Sequence, residues 1–162
     1  FPFAIKSQSK CNGTSLFTRI NKNYFYHGEL IEVNIKFNVN ENSLYFLEVK
    51  LLRVMKRRTS FLHSNRKEKK LLICRNIDLP SSTDVILTEL LINSADFLFT
   101  FSGTNFSVEF LISISLREKK GDKSVNSMEL AVIILAGDSI ELSEITLNDE
   151  STYSQNKHKL IS

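Results

Sequence analysis

Phe106-Ser107-Val108-Glu109-Phe110-Leu111-Ile112-Ser113-Ile114-Ser115-Leu116 decides the fold class. Every even position in it is apolar, and every odd position except Leu111 is polar. That is the period-two pattern of a strand with one face buried and the other in water. Glu29 to Phe37 repeats it, with Ile31, Val33, Ile35 and Phe37 on one face and Glu32, Asn34 and Lys36 on the other. Tyr45 to Val54 places Tyr45, Leu47, Val49 and Leu51 inward. Weaker patterns predict strands over 15–20, 70–77, 84–92, 96–101 and 125–136, although Asp84 to Leu91 also accommodates a helical reading. Turn-forming residues fill 38–43, 102–105 and 119–123 between these runs. Strands at this spacing, with no alternation of strand and helix, predict an all-β, Ig-like or arrestin-like antiparallel β-sandwich of about 7–9 strands. The expected organisation is a lead-in over 1–14, the sandwich over 15–137, and an acidic-then-polar tail or linker over 138–162.

The whole chain supports one such domain. It has 162 residues, 42% of them hydrophobic and 24% charged, enough to bury a core. No apolar run is long enough for a membrane-spanning helix, and the longest, Leu130 to Gly137, reads as a buried strand. The chain opens Phe1-Pro2-Phe3-Ala4-Ile5, without an initiator Met or a basic-then-apolar leader, which reads as a processed chain or a piece of a longer one.

Charge is distributed unevenly. Lys50 to Arg75 holds ten bases and one acid, Glu68, a local charge of +9 in a chain whose net charge is +3. Within it, Lys56-Arg57-Arg58 and Arg66-Lys67-Glu68-Lys69-Lys70 sit at the ends of two predicted strands and are expected to form one loop-centred patch. Lys56, Arg57, Arg58, Arg66, Lys67, Lys69 and Lys70 are the candidate site residues, for an anionic membrane surface or an acidic partner. The plainer reading is a solvated loop whose charge keeps an edge strand from pairing. Nucleic acid is disfavoured, because Phe61 is the only aromatic nearby to stack a base. Asp138 to Glu150 has the opposite character, with five acids and no base. It reads as a linker, yet Ile140, Leu142, Ile145 and Leu147 suggest that something covers it, either the basic segment, by folding back, or another domain or protein.

Chemistry-bearing constellations are sparse. His27, His63 and His158 are far apart, and Cys11 and Cys74 form no metal-ligand spacing with them or with each other. Cys-x-x-Cys, His-Glu-x-x-His, Gly-x-Ser-x-Gly and phosphate-loop patterns are absent from the sequence. The expectation is a non-catalytic protein with no cofactor and no metal. Cys74, in an apolar run, is expected to be a buried small residue. An alternative is a secreted or cell-surface Ig-like domain that binds a receptor or ligand. It would use Asn12-Gly13-Thr14 and Asn105-Phe106-Ser107 as glycan acceptors and a Cys11–Cys74 disulfide.

Three phrases, in order, resemble the carboxy-terminal domain of arrestin-like proteins. Asn23-Tyr24-Phe25-Tyr26-His27-Gly28-Glu29-Leu30-Ile31-Glu32-Val33 is similar to that family's aromatic, Gly-Glu, alternating-strand opening. Val49-Lys50-Leu51-Leu52-Arg53-Val54, after the turn over 38–43, is similar to its long second strand. Met128-Glu129-Leu130-Ala131-Val132-Ile133-Ile134-Leu135-Ala136-Gly137 looks like its closing apolar strand. The resemblance covers roughly Ser15 to Gly137. It implies a cytoplasmic adaptor or scaffold, peripheral at endomembranes, that serves membrane protein transport by binding partner proteins. Branches of the family act in a Golgi Rab exchange-factor complex, in cargo ubiquitination for endocytosis, and in retromer-type sorting. It also implies a second arrestin-like domain in the full-length chain and a larger trafficking complex as partner. The Pro-Pro-x-Tyr ligase-recruiting motif is absent, because Pro2 and Pro80 are the only prolines. The basic segment after Val54 matches no family motif residue by residue.

Overall fold

The computed structural model describes residues 4–59, 64–93 and 99–136. Its strands in chain order are β1 (Ile5–Cys11), β2 (Thr14–Ile20), β3 (Tyr24–Tyr26), β4 (Leu30–Asn38) and β5 (Tyr45–Thr59). They are followed by β6 (Ser64–Asp78), β7 (Val85–Leu91), β8 (Phe101–Ser102), β9 (Phe106–Glu118) and β10 (Ser124–Leu135). They form two sheets, one ordered β1-β2-β4-β7 and the other β3-β10-β9-β5-β6, with β8 pairing beside β9. The molecule is an all-β sandwich.

The period-two readings account for its core. Along β4, Ile31, Val33, Ile35 and Phe37 are buried, while the residues between them are exposed. Facing them, β5 contributes Leu47, Val49 and Leu51, and β9 contributes Val108, Phe110, Ile112, Ile114 and Leu116. These side chains form one continuous cluster with Leu16 and Ile20 of β2, Leu90 of β7, and Leu130, Val132 and Ile134 of β10. Each fully buried aliphatic or aromatic side chain contributes on the order of 1.5–3 kcal/mol. The segment 84–92, open to a helical reading, is strand β7, whose register runs from Leu30↔Leu91 to Lys36↔Val85.

Three strands lie outside the expected set or differ from it. Ile5–Cys11, read as lead-in, is edge strand β1 and pairs along its whole length with β2, from Ile5↔Ile20 to Cys11↔Thr14. Its half-buried positions carry Ser7 and Ser9 as well as Ile5, so hydrophobicity alone does not mark it. β3 is three residues long and pairs in parallel with β10. The strand expected over 96–101 appears as Phe101–Ser102, and residues 94–98 fall outside the described set. The segment 138–162 also lies outside it.

Polar ties close the open end of the sandwich. Asn126, 4% exposed, donates from Nδ2 to the Ser9 carbonyl at 3.1 Å and to Thr14 Oγ1 at 3.2 Å. Its Oδ1 accepts from Ser9 Oγ at 2.6 Å. The β1–β2 turn, with Asn12 at φ 52° and Gly13 at φ 74°, is clipped to β10 by Asn12 Nδ2, which donates to the Val125 carbonyl at 3.0 Å. At the turn before β4, Gly28 at φ 92° lets the Glu29 amide donate to the Tyr26 carbonyl. The Glu29 carboxylate accepts from the Tyr26 amide and from Lys22. The β9–β10 turn is held by Arg117, which donates from Nε to Asp122 Oδ1 at 3.0 Å and from Nη2 to the Asp122 carbonyl. That hydrogen bond, with the charge of Glu48 nearby, raises the Arg117 pKa above its usual value.

Candidate functional site

The seven basic residues singled out from sequence lie on one hairpin, and all seven are exposed. They do not occupy a loop. β5 continues to Thr59 and β6 starts at Ser64, so the basic residues belong to the paired strands themselves. The predicted ends at Val54 and Lys70 fall short because apolar alternation stops there, whereas the backbone ladder continues. A hairpin that runs past its covering sheet has no face to bury, and therefore no period-two signal to read.

The ladder sets like charges against each other. Lys56 pairs with Lys67 and Arg57 with Arg66 in consecutive rows. Directly opposed side chains in an antiparallel pair have Cβ atoms about 4.5–5.5 Å apart, and like charges there repel. Successive residues alternate faces, so Arg57 and Arg66 fall on the face that Phe106 shares, and Lys56 and Lys67 on the reverse. Both faces of the hairpin end are therefore positive. Neutralisation is partial. Lys56 lies 3.4 Å from Glu109 and Lys69 lies 4.0 Å from Glu129. Among the described residues, no acid lies within ion-pair distance of Arg57, Arg58, Arg66, Lys67 or Lys70.

The sequence reading missed the second wall of the site. Gly103, Thr104, Asn105, Phe106 and Ser107 face Lys56, Arg57, Arg58, Arg66 and Lys67 across a cleft of about 370 Å³. Pairing of β5 with β9 brings them together, because Arg57 is the register partner of Phe106 and Lys56 that of Ser107. The Arg58 amide donates to the Asn105 carbonyl at 2.8 Å, and the Arg57 guanidinium sits 5.9 Å from the Phe106 ring centroid. The Gly103 amide donates to the Phe106 carbonyl at 2.9 Å. A Cβ on Gly103 would come within 2.9 Å of the exposed Phe101 ring and 3.1 Å of the Phe106 carbonyl, so a larger residue there would have to push the ring aside and crowd that carbonyl. No local motif announces these residues; only the strand register does. Phe61, the aromatic expected near the patch, lies outside the described residues.

Other expectations are corrected or redirected. Cys74 is exposed, not buried. It sits in edge strand β6 opposite Lys50, past a register shift in the ladder between Leu51 and Leu52, on the face turned away from the core. Cys11 and Cys74 are both free thiols. β1 and β6 are edge strands of different sheets, and the cross-link that the secreted alternative would use is not formed. Asn12 uses its side-chain nitrogen to hold Val125, while Asn105 is exposed at the cleft. Among the described residues, no three His, Cys, Asp or Glu side chains gather as a metal site. None of the helices there is long and apolar enough to cross a membrane. His63 and His158 lie outside the described residues.

A scan of protein-family models and a search of curated proteins find no match to this chain.

Proposed function

We propose that the chain is the β-sandwich of an arrestin-type adaptor that works by binding and uses the basic hairpin to engage anionic headgroups at a membrane surface. The observation that carries this reading is the pair of opposed like charges, Lys56↔Lys67 and Arg57↔Arg66, lining an open cleft. A fold that sets cations face to face loses stability, and an external anion reverses that cost. The guanidinium forks of Arg57, Arg58 and Arg66 suit bidentate contact with phosphate oxygens.

The arrestin resemblance supports the adaptor role through the placement of its phrases. The first covers β3, the Gly28 turn and the start of β4. The second lies inside β5, and the third fills most of β10. On this reading the protein is peripheral at endomembranes, carries no catalytic centre, and is joined to a second arrestin-like domain and to a protein partner in a trafficking complex. The two free thiols, and an Asn12 side chain that donates to the Val125 carbonyl of β10, do not favour the secreted alternative.

Sedimentation with phosphatidylserine vesicles, against phosphatidylcholine vesicles as control, tests the proposal. Each basic residue near an anionic surface contributes about 1 kcal/mol, so replacing Arg57, Arg58, Lys69 and Lys70 with Glu should cost at least about 4 kcal/mol, or about a thousandfold in affinity. Unchanged binding would remove the patch from the mechanism. Failure of the native chain to bind vesicles, with retained binding to a polyglutamate peptide, would reassign the cleft to an acidic protein partner.

A further inference from the structure

We propose that the free edge of β7 takes up an extended segment of a partner protein, added as a fifth strand to its four-stranded sheet and carrying a basic residue between two apolar ones. The two sheets end in β1, β7, β3 and β6, and three of these ends discourage an added strand. β1 exposes Lys6 and Lys10, β6 exposes Arg66, Lys67, Lys69 and Lys70, and β3 is three residues long. β7 has neither safeguard. Its outer face shows Val85, Leu87 and Leu91, with Glu89 as the one charge, and Leu87 and Leu91 are 62% and 49% exposed. Leu30, the register partner of Leu91 on β4, is half exposed and extends the apolar surface.

The backbone at this edge is open as well. The Phe37 amide donates to the Asp84 carbonyl at 2.9 Å, and the Ile92 amide donates to the Glu29 carbonyl at 3.0 Å. These two bonds bracket the β4–β7 ladder and assign its hydrogen-bonded positions to the even-numbered residues of β7. The amides and carbonyls of the odd-numbered residues therefore point away from β4. At Val85 the Thr83 hydroxyl occupies both, accepting from the amide at 3.0 Å and donating to the carbonyl at 3.3 Å. Leu87, Glu89 and Leu91 face no strand on that side among the described residues. The same three residues turn their side chains to the outer face, so backbone and side chains are offered to a ligand together.

Charge selects the occupant. Glu32 and Glu89 are directly opposed on the outer face, both exposed, and among the described residues no base lies within ion-pair distance of either. Opposed like charges repel, and a Lys or Arg facing Glu89 from an added strand offsets that repulsion. Apolar residues two positions to either side of it then face Leu87 and Leu91, because side chains alternate along a strand. A second copy of β7 is the poorer occupant, since a twofold axis at Thr88 brings another Glu32–Glu89 pair onto the same face. The edge belongs to the other sheet from the basic hairpin, so it serves a protein partner whether or not the hairpin meets a membrane.

The test uses the full chain and a soluble peptide with the core Val-Thr-Lys-Thr-Val, beside the same peptide with Glu in place of Lys. In the chain alone, hydrogen exchange read by nuclear magnetic resonance should be fast at the Leu87, Glu89 and Leu91 amides and slow at those of Ile86, Thr88 and Leu90. The Lys peptide should slow the first three, and it should bind about fivefold more tightly than the Glu peptide. Glu89→Lys, which faces Glu32 and so keeps the sheet intact, should reverse that preference. Leu87→Lys, at an exposed position, should weaken the Lys peptide by about fivefold or more. No binding of either peptide at about 1 mM overturns the proposal, as does a preference that survives Glu89→Lys or binding that leaves the three amides fast. Slow exchange at those amides without peptide overturns it too: if the protection grows with protein concentration the occupant is a second copy, and if it does not the chain covers its own edge.

Discussion

Strands β5 and β9 run side by side from Tyr45↔Glu118 to Arg57↔Phe106, and the two halves of that single ladder are opposite in chemistry. In the first half, Leu47, Val49 and Leu51 meet Leu116, Ile114 and Ile112, and all six are fully buried. In the second half the same geometry presents Lys56, Arg57 and Arg58, all exposed, on a hairpin whose other strand adds Arg66 and Lys67. The backbone hydrogen bonds do not distinguish the halves. What changes is cover. The β1-β2-β4-β7 sheet lies over the first half, so apolar side chains there gain free energy by leaving water. Beyond Val54 and Val108, which are still buried, that cover is lost, so the side chains at the end of the ladder are free to serve binding.

The comparison breaks most visibly through the core. Phe110 is fully buried on β9, close to where the ladder changes character. Phe110→Ala should lower unfolding free energy by about 3–5 kcal/mol, from lost transfer energy and the cavity left behind. Arg58→Ala, on the hairpin, should stay within about 0.5 kcal/mol of the native chain. Urea unfolding of both variants measures the contrast, and equal losses would show that the hairpin is part of the core.

A smaller effect separates the apolar way of holding the sheets from the polar one. Asn126 reaches from β10 to Ser9 and Thr14, a tie between sheets that carries direction as well as energy. Asn126→Ala should cost about 1–3 kcal/mol, because buried partners are left unsatisfied. The loss should be local, with hydrogen exchange accelerating in β1 and remaining slow in β4. Uniform acceleration across both strands would make Asn126 a core residue like any other.

The same division explains what the sequence discloses. β4 and β9 are legible because one face of each is buried and the other wet, which writes a period of two into the residues. The inner and outer positions of β4 are read correctly to the residue. Beyond Val54 the period is absent, so the sequence discloses a run of cations but not the strands that carry them. Cys74 shows the reverse error. Leu71-Leu72-Ile73-Cys74 looks buried by composition, yet Leu71 is half exposed and Cys74 is exposed, because β6 is an edge strand with an irregular register there. β1 is hidden because serines stand at two of its half-buried positions. The basic wall of the cleft is legible as charge, and the wall built from Gly103 to Ser107 is not, since it depends on a long-range register that no local pattern encodes.

The smallest effect is the most discriminating, because stability and binding should move in opposite directions. Arg66 faces Arg57 across the ladder, and replacing it with glutamate turns repulsion into attraction. Arg66→Glu should therefore raise unfolding free energy by about 0.2–1 kcal/mol, and added salt should shrink the gain by screening both arrangements. The same variant should bind phosphatidylserine vesicles more weakly, since one cation is lost and an anion stands in its place. A hairpin selected only for solubility gives no reason for a substitution to stabilise the fold and damage binding together. If Arg66→Glu destabilises the chain at low salt, the two guanidinium groups do not repel each other, and the opposed charges cease to be an argument for a ligand. If it stabilises and binding falls, the hairpin is holding charge together at a cost that only an outside anion recovers.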